Sequence, residues 1–293
     1  MNSHTFSKVV AAYVLFVAVV LGSSSCGMFV RGETSFDENY GVTWGFDHAK
    51  SYHQGTEVQL SLDLASAGAG FESKVSYGSG SFHMKIKLPG RNSAGVVTAF
   101  YTSSPVSGHD ELDIEFLGNQ EGKPITLQTN IFINGKGDRE QRFHLWFDPT
   151  ADFHDYTILW NHHQVAFLVD NIPIRMLKNV KGIGYPAGHP LKVVGSLWNA
   201  SWATDGGATP IDWSYAPFQA QFRDFGVSGC PAAAYADLRG CFSPSYWWND
   251  KQYWRLSKAQ LKAYLDTRKR YMSYDYCSDS ARYPTPPPEC GFQ

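Results

Sequence analysis

Charge is scarce in this sequence. Asp, Glu, Lys and Arg make up 18% of its 293 residues, and 25 basic residues nearly balance 27 acidic ones, for a formal net charge of -2. A field this weak does not draw in a polyanion, which argues against nucleic acid as a partner. Few charges beside 9 Trp, 16 Tyr and 19 Phe also exclude disorder as the main state, since disordered chains combine high charge with few aromatic residues. No internal repeat and no long linker interrupt the chain. No C-x2-C spacing occurs among the 5 Cys, and the 10 His are scattered, so no zinc site is expected. What is present is aromatic richness on a neutral background, a composition suited to a neutral ligand with flat faces.

The one long apolar run lies at the start. Lys8 precedes the apolar residues 9–21, and the small residues Gly22, Ser23, Ser24 and Ser25 follow. This order is that of a secretory signal peptide over residues 1–25. A membrane anchor is the alternative, but the run is shorter than the roughly 20 residues that span a bilayer. The mature chain of about 260 residues suits one large β domain or two smaller ones. It is expected to be soluble and extracellular, with no membrane partner once the leader is cleaved. Cys26 sits alone beside the cleavage zone. Cys230, Cys241, Cys277 and Cys290 fall in the last quarter and are expected to pair in an oxidising compartment. Three connectivities are open to them, of which pairing in sequence order closes the shortest loops.

Residues 81–88, 96–101 and 127–133 alternate apolar and polar side chains between breaks of Gly, Pro, Asn and Asp, the pattern of strands. Residues 156–160 and 165–169, joined by Asn161-His162-His163-Gln164, read as a hairpin. With no helix-length periodic segment between these runs, the pattern predicts an all-β antiparallel sandwich of jelly-roll form. The tail differs. Leu256, Gln260, Leu261, Tyr264, Leu265 and Tyr271 recur near helical spacing behind Ser257, a capping residue, which predicts one amphipathic helix over 257–272. Pro284, Pro286, Pro287 and Pro288 predict an extended, pinned end beside Cys290. Trp146 and Trp160, inside strand patterns, are expected in the core.

The most informative segment is His109-Asp110-Glu111-Leu112-Asp113-Ile114-Glu115-Phe116-Leu117-Gly118. On a strand, Glu111, Asp113 and Glu115 share one face while Leu112, Ile114 and Phe116 enter the core. Three acids on one face repel one another, so a face carrying them is better explained by chemistry than by solvation. Calcium would need about 6 to 8 oxygens, usually from a loop, and a strand presents too few. Glycoside hydrolysis instead uses one carboxylate as nucleophile and another as acid/base, with environments that split their pKa values. Asp113, between the glutamates, is placed to couple to both and to orient them. Which glutamate attacks is left open by the spacing alone. The Cα atoms of Glu111 and Glu115 are about 13 Å apart along a strand, whereas a retaining pair needs carboxyls about 5 to 5.5 Å apart. The two side chains are therefore expected to lean towards each other.

At this motif the sequence resembles the plant xyloglucan endotransglucosylase/hydrolases, within the family-16 glycoside hydrolases. The resemblance runs from Phe36-Asp37-Glu38-Asn39-Tyr40 and Tyr77-Gly78-Ser79-Gly80 through the acid strand. It continues through Gln128-Thr129-Asn130, Asp138-Arg139-Glu140-Gln141-Arg142, Leu145-Trp146-Phe147-Asp148-Pro149 and Val169-Asp170-Asn171-Ile172-Pro173-Ile174-Arg175 to Pro287-Pro288-Glu289-Cys290, covering essentially the whole mature chain. It implies a concanavalin-like jelly-roll catalytic domain over 26–225 and a C-terminal extension over 226–293 with one helix and two disulfides paired in sequence order. It implies Glu111 as nucleophile, Glu115 as general acid/base and Asp113 as helper, with no metal and no cofactor. It places Gln128, Asn130, Glu140 and Arg142 along the donor side of a cleft. It has Tyr101, Trp198, Trp202, Tyr274 and Arg282 contacting sugar rings, several of them on the acceptor side. The partners it implies are a xyloglucan polymer as donor and a xyloglucan chain or oligosaccharide as acceptor, in the plant cell wall and apoplast. A monomer is the default expectation.

Three departures stand out. Residues 198–207 are one residue shorter between Trp198 and Trp202 than the resemblance would have them, which bears on acceptor or donor preference. The sequon expected after the acid strand is missing, since Asn119-Gln120-Glu121 does not qualify, while Asn199-Ala200-Ser201 forms one elsewhere. A glycan at Asn199 is expected to crowd the cleft, and Asn199 is therefore expected to be poorly glycosylated. Residues 135–143 are compact, without the additional loop residues of the predominantly hydrolytic subgroup, which favours transfer over hydrolysis. A noncatalytic wall-glycan lectin and a purely structural wall protein are the readings of a different class.

Overall fold

The alternation read from the sequence becomes two stacked antiparallel sheets in the computed structural model, which describes residues 34–292. The signal peptide expected over 1–25, and Cys26, lie outside the described residues. A single helical turn, α1 (Phe36–Asn39), leads into β1 (Tyr40–Trp44), β2 (Ala49–Tyr52), β3 (Glu57–Leu62), β4 (Gly68–Ser73) and β5 (Tyr77–Lys87). Then come β6 (Val96–Ser103), β7 (Glu111–Leu117), β8 (Thr126–Phe132), β9 (Gln141–His144), β10 (His154–Trp160), β11 (Gln164–Val169) and β12 (Ile172–Lys178). The chain ends with β13 (Lys192–Asn199), β14 (Phe218–Arg223), β15 (Val227–Pro231), helix α2 (Lys258–Tyr271) and β16 (Met272–Asp275). The front sheet has the order β1-β4-β13-β6-β7-β8-β9-β16, and the back sheet β12-β11-β10-β5-β14-β3-β2 with β15 beside β5.

Alternate residues of each strand fill the space between the sheets. Leu112 and Ile114 of β7 are fully buried, and Phe116 meets Tyr156 of β10 edge to face at 4.7 Å. Phe71 of β4 meets Phe222 of β14 at 5.2 Å, and a Cβ on Gly195 in β13 would collide with the Phe71 ring, so glycine is required there. Each such buried ring or branched side chain contributes about 1.5–3 kcal/mol through removal of apolar surface from water. Trp160 is fully buried in β10, as its strand pattern predicts, whereas Trp146 lies past the end of β9 and packs only partly buried against this core.

The hairpin forms as read, with Tyr156 opposite Val169 and Trp160 opposite Val165. Helix α2 begins behind Ser257, whose hydroxyl accepts from the Gln260 N–H at 3.2 Å while the Gln260 side chain accepts from the Ser257 N–H at 3.0 Å. This reciprocal cap explains why the start is legible in sequence. The buried face is narrower than the periodicity predicts: Tyr264 and Thr267 are buried, but Leu261 and Leu265 are 43% and 55% exposed. The helix lies against β12 at one margin of the sandwich, and only one stripe of it is covered. Cys230 is bonded to Cys241 and Cys277 to Cys290. The proline-rich tail ends in a short turn, Pro288–Phe292, held by Glu289 against Arg139 Nε at 2.7 Å. The C-terminal segment thus adds β15 to one sheet and β16 to the other.

Candidate active site

Strand β7 lies in the middle of the front sheet, and its register with its neighbours sets every side chain around the acids. Glu115 stands opposite Ala99 of β6 and Gln128 of β8, Gln128 opposite Arg142 of β9, and Arg142 opposite Tyr274 of β16. One row of side chains thus crosses five strands. A second row joins Tyr101, Asp113 and Asn130. Directly opposed residues hold their Cβ atoms about 4.5–5.5 Å apart, close enough for polar side chains to bond across the sheet.

They do so. Gln128 Nε2 donates to Glu115 Oε2 at 2.8 Å, and Arg142 Nε donates to Gln128 Oε1 at 2.7 Å. The Arg142 guanidinium lies 5.3 Å from the centre of the Tyr274 ring, and the Tyr274 hydroxyl donates to Asp279 Oδ2 at 2.8 Å. Asn130 Oδ1 accepts from the Arg139 N–H at 3.0 Å. Arg282 Nη1 donates to Glu140 Oε2 at 2.7 Å.

The three acids differ in their electrostatics. Burial, followed by the charges of Glu111 and Glu115, pushes the Asp113 carboxyl well above the ordinary range, and its hydrogen bond to Glu111 acts in the same direction; only the buried Arg175 opposes. An Asp113 that keeps its proton donates it in that bond. Glu115 is also raised, chiefly by burial, with the Gln128 hydrogen bond pulling the other way. Burial and the nearby acids hold the Tyr101 hydroxyl in its protonated form. Arg175 is 1% exposed behind the front sheet, where its Nη1 donates to the Thr129 carbonyl at 2.9 Å.

Glu111, Asp113 and Glu115 open into a groove of about 460 Å³, together with Tyr101, Gln128, Asn130, Glu140, Arg142, Trp198 and Trp202. Tyr274 is not on its wall; it lines a neighbouring groove of about 340 Å³ that shares Arg142 and Trp202 with the first. Arg282 lines neither groove and reaches the first only through Glu140. Sequence reasoning missed Ala99, Ser196 and Phe132 in the groove wall, and His109, whose Nε2 is 3.8 Å from Glu111 Oε2 and whose ring stacks on Phe132. His109 adjoins the acid motif, a signal that was available; the small residues give none. Among the described residues no group of three or more His, Cys, Asp and Glu is placed to hold a metal ion.

Trp202 rides on a loop that covers the end of β6 and β7. Ala200 and Ala203 pack on Val97 and Leu117, which point to the same side of the sheet as the acids. The buried Thr204 hydroxyl accepts from the Gly95 N–H at 2.8 Å and donates to the Gly118 carbonyl at 2.7 Å. The shortened segment is therefore anchored at three strands' ends, with Trp198 and Trp202 rings 6.1 Å apart and Trp202 43% exposed.

Two carboxyls of raised proton affinity beside a third in an open groove walled by aromatic and amide side chains have the chemistry of a glycoside-cleaving site. Comparison with known proteins agrees. The pattern of "Glycosyl hydrolases family 16" matches residues 36–215, and that of "Xyloglucan endo-transglycosylase (XET) C-terminus" matches residues 242–290. Xyloglucan endotransglucosylase/hydrolase protein 3 of Arabidopsis thaliana is 52% identical over 285 residues, 96% of each chain, and protein 2 of the same plant is 53% identical over 281 residues, 94% of each. A solved Bacillus licheniformis β-glucanase, 23% identical, shares the jelly-roll fold with a TM-score of 0.52 over 63% of this chain and 89% of its own. The chain belongs to the xyloglucan endotransglucosylase/hydrolase family, a branch of the family-16 glycosyl hydrolases.

Proposed function

We propose that the protein is a secreted enzyme that cuts the β-1,4-glucan backbone of xyloglucan with retention and passes the new end to another xyloglucan chain. Glu111 attacks the anomeric carbon while Glu115 gives its proton to the leaving oxygen, forming a covalent glycosyl-enzyme. Glu115 then takes a proton from the 4-hydroxyl of the acceptor as its oxygen bonds the anomeric carbon, and the bond from that carbon to Glu111 breaks to free the Glu111 carboxylate. The observation that carries this reading is the arrangement of the acids: Asp113, whose proton affinity is raised by burial and by both glutamates, shares a hydrogen bond with Glu111, which suits a nucleophile held in place, and burial raises the proton affinity of Glu115, which suits an acid.

Transfer is favoured over hydrolysis by what lies beside the acids. Trp198, Trp202 and Tyr274 offer stacking faces along two connected grooves, so an acceptor chain can occupy the site before water reacts. The connection from β8 to β9 turns at Asn134-Gly135, both at positive φ, and its compactness favours transfer as well. The two disulfides and the leader support action outside the cell, in the plant wall.

The test is incubation of the secreted protein with several unlabelled glucans and a labelled xyloglucan oligosaccharide, counting polymer-bound label and new reducing ends, with Glu111→Ala as control. Label entering xyloglucan with few new reducing ends is the expected result. New reducing ends without incorporation would make the enzyme a hydrolase, and binding without either signal would make it a lectin.

A further inference from the structure

We propose that Asn199 carries an N-linked glycan that stands away from the groove and leaves it open. Asn199-Ala200-Ser201 is the only Asn-x-Ser/Thr triplet in the chain, and both Asn199 and Ser201 are exposed. The direction of the side chain follows from its place as the last residue of β13. Ser196 and Trp198 line the groove, whereas Leu197 between them is fully buried in the core. Asn199 shares the parity of Leu197, and its partner on β6 is Val96, a 2% exposed residue of the same core. Successive strand residues point to opposite faces, so the Asn199 side chain leaves the sheet on the side away from Trp198, where the strand end is open to solvent.

This corrects the expectation that a glycan here crowds the cleft. Asn199 is next to Trp198 along β13, but alternation sends the two side chains to opposite faces. Neither groove has Asn199 in its wall. The loop that follows is anchored independently, through the Ala200 N–H to the Gly95 carbonyl at 2.9 Å and through Thr204, so a bulky group on Asn199 does not displace Trp202.

The modification rests on the secretory reading above. In that pathway the Asn199 amide nitrogen attacks the anomeric carbon of an oligosaccharide carried on a lipid diphosphate. The carbon–nitrogen bond forms, the carbon–oxygen bond to the diphosphate breaks, the lipid diphosphate departs, and the nitrogen gives up one proton. The product places a hydrated, bulky chain at the surface.

The full chain is expressed in plant cells and collected from the medium. Intact mass and peptide mapping are read before and after peptide N-glycosidase, which turns a glycosylated Asn199 into Asp, and transfer rates are taken on both forms. The expected result is one glycan on most secreted chains, lost in Asn199→Gln and in Ser201→Ala, with acceptor KM and turnover within about twofold after deglycosylation. Should Asn199→Gln fail to be secreted, deglycosylation of the unaltered chain still reads occupancy and activity. Secreted, active protein with an unmodified Asn199 overturns the proposal alone. A glycan whose removal lowers acceptor KM severalfold overturns its placement off the groove. A chain found only inside cells and unmodified overturns the secretory reading, and this proposal with it.

Discussion

Replacing Gln128 by Leu tests whether Glu115 is the acid and whether the row of side chains beside it sets its proton affinity. Gln128 gives Glu115 one hydrogen bond, at 2.8 Å, and receives one from Arg142 at 2.7 Å, which polarises the amide towards Glu115. A hydrogen bond to a charged group contributes about 1.5–3 kcal/mol and one to a neutral group about 0.5–1.5 kcal/mol, so the bond favours ionised over protonated Glu115 by about 1–1.5 kcal/mol. One pH unit corresponds to about 1.4 kcal/mol. Removing the donor therefore raises the pKa of a carboxyl that burial has already raised. In the proposed mechanism Glu115 must hold its proton for the first step, and kcat/KM falls as pH rises through its pKa. Loss of Gln128 is thus expected to carry the alkaline limb of kcat/KM for donor cleavage upward by about one pH unit. Gln128 also lines the groove, so the whole profile is expected to drop in height, which is a separate effect. An alkaline limb that stays in place, or moves down, would refute the assignment of that limb to Glu115.

The other predictions are more direct. Glu111→Ala is expected to reduce both transfer and hydrolysis by about 10^4-fold with unchanged circular dichroism, as for loss of a nucleophile. Trp202→Ala is expected to raise acceptor KM about tenfold, the loss of a partly buried ring face, and to increase new reducing ends relative to incorporated label in the same assay. Thr204→Val leaves the Gly95 N–H without its acceptor and is expected to cost about 1–3 kcal/mol in urea unfolding, with a higher acceptor KM from a loosened Trp202 loop. Replacing Cys230 and Cys241 by Ser opens a short loop packed on Trp248, and the lost constraint on the unfolded chain is expected to lower stability by about 2–4 kcal/mol.

Much of the scaffold is legible because its cues are local. Strict alternation identifies β7 and assigns its two faces, and the reciprocal Ser257 and Gln260 cap marks the start of α2. The exposure of Leu261 and Leu265 is not legible in that way, since it depends on how much of the helix the sandwich edge covers. The same limit applies at the site. Resemblance points to Gln128 and Arg142 as lining the donor side of the cleft and to Tyr274 as a sugar contact. That Arg142 bonds Gln128, and Gln128 bonds Glu115, follows from a register across β7, β8 and β9 that long-range packing sets and no local pattern records. The direction of Asn199 is the reverse case: alternation contained it, but only once β13 was known to run to that residue.

The register also connects the C-terminal segment to the row of side chains beside Glu115. Without β16, β9 would be the outer strand of the front sheet, with unpaired backbone groups along a four-residue strand that carries Arg142. Strand β16 covers that edge and brings the Tyr274 ring to the Arg142 guanidinium. It is held there from several directions. Arg268 of α2 pairs with Asp275 at 2.6 Å, Asp275 accepts from Gln141 at 3.0 Å, and the Cys277–Cys290 bond ties the following turn to Glu289, which pairs with Arg139. Arg139 in turn bonds Asn130 in the groove wall. Two of these contacts, Gln141 to Asp275 and Arg139 to Glu289, join residues more than a hundred positions apart, so they restrict the β8 and β9 margin more than a local bond would. Arg142 is thereby kept in the orientation that polarises Gln128, and the proton affinity of Glu115 depends in part on a segment that begins more than a hundred residues downstream.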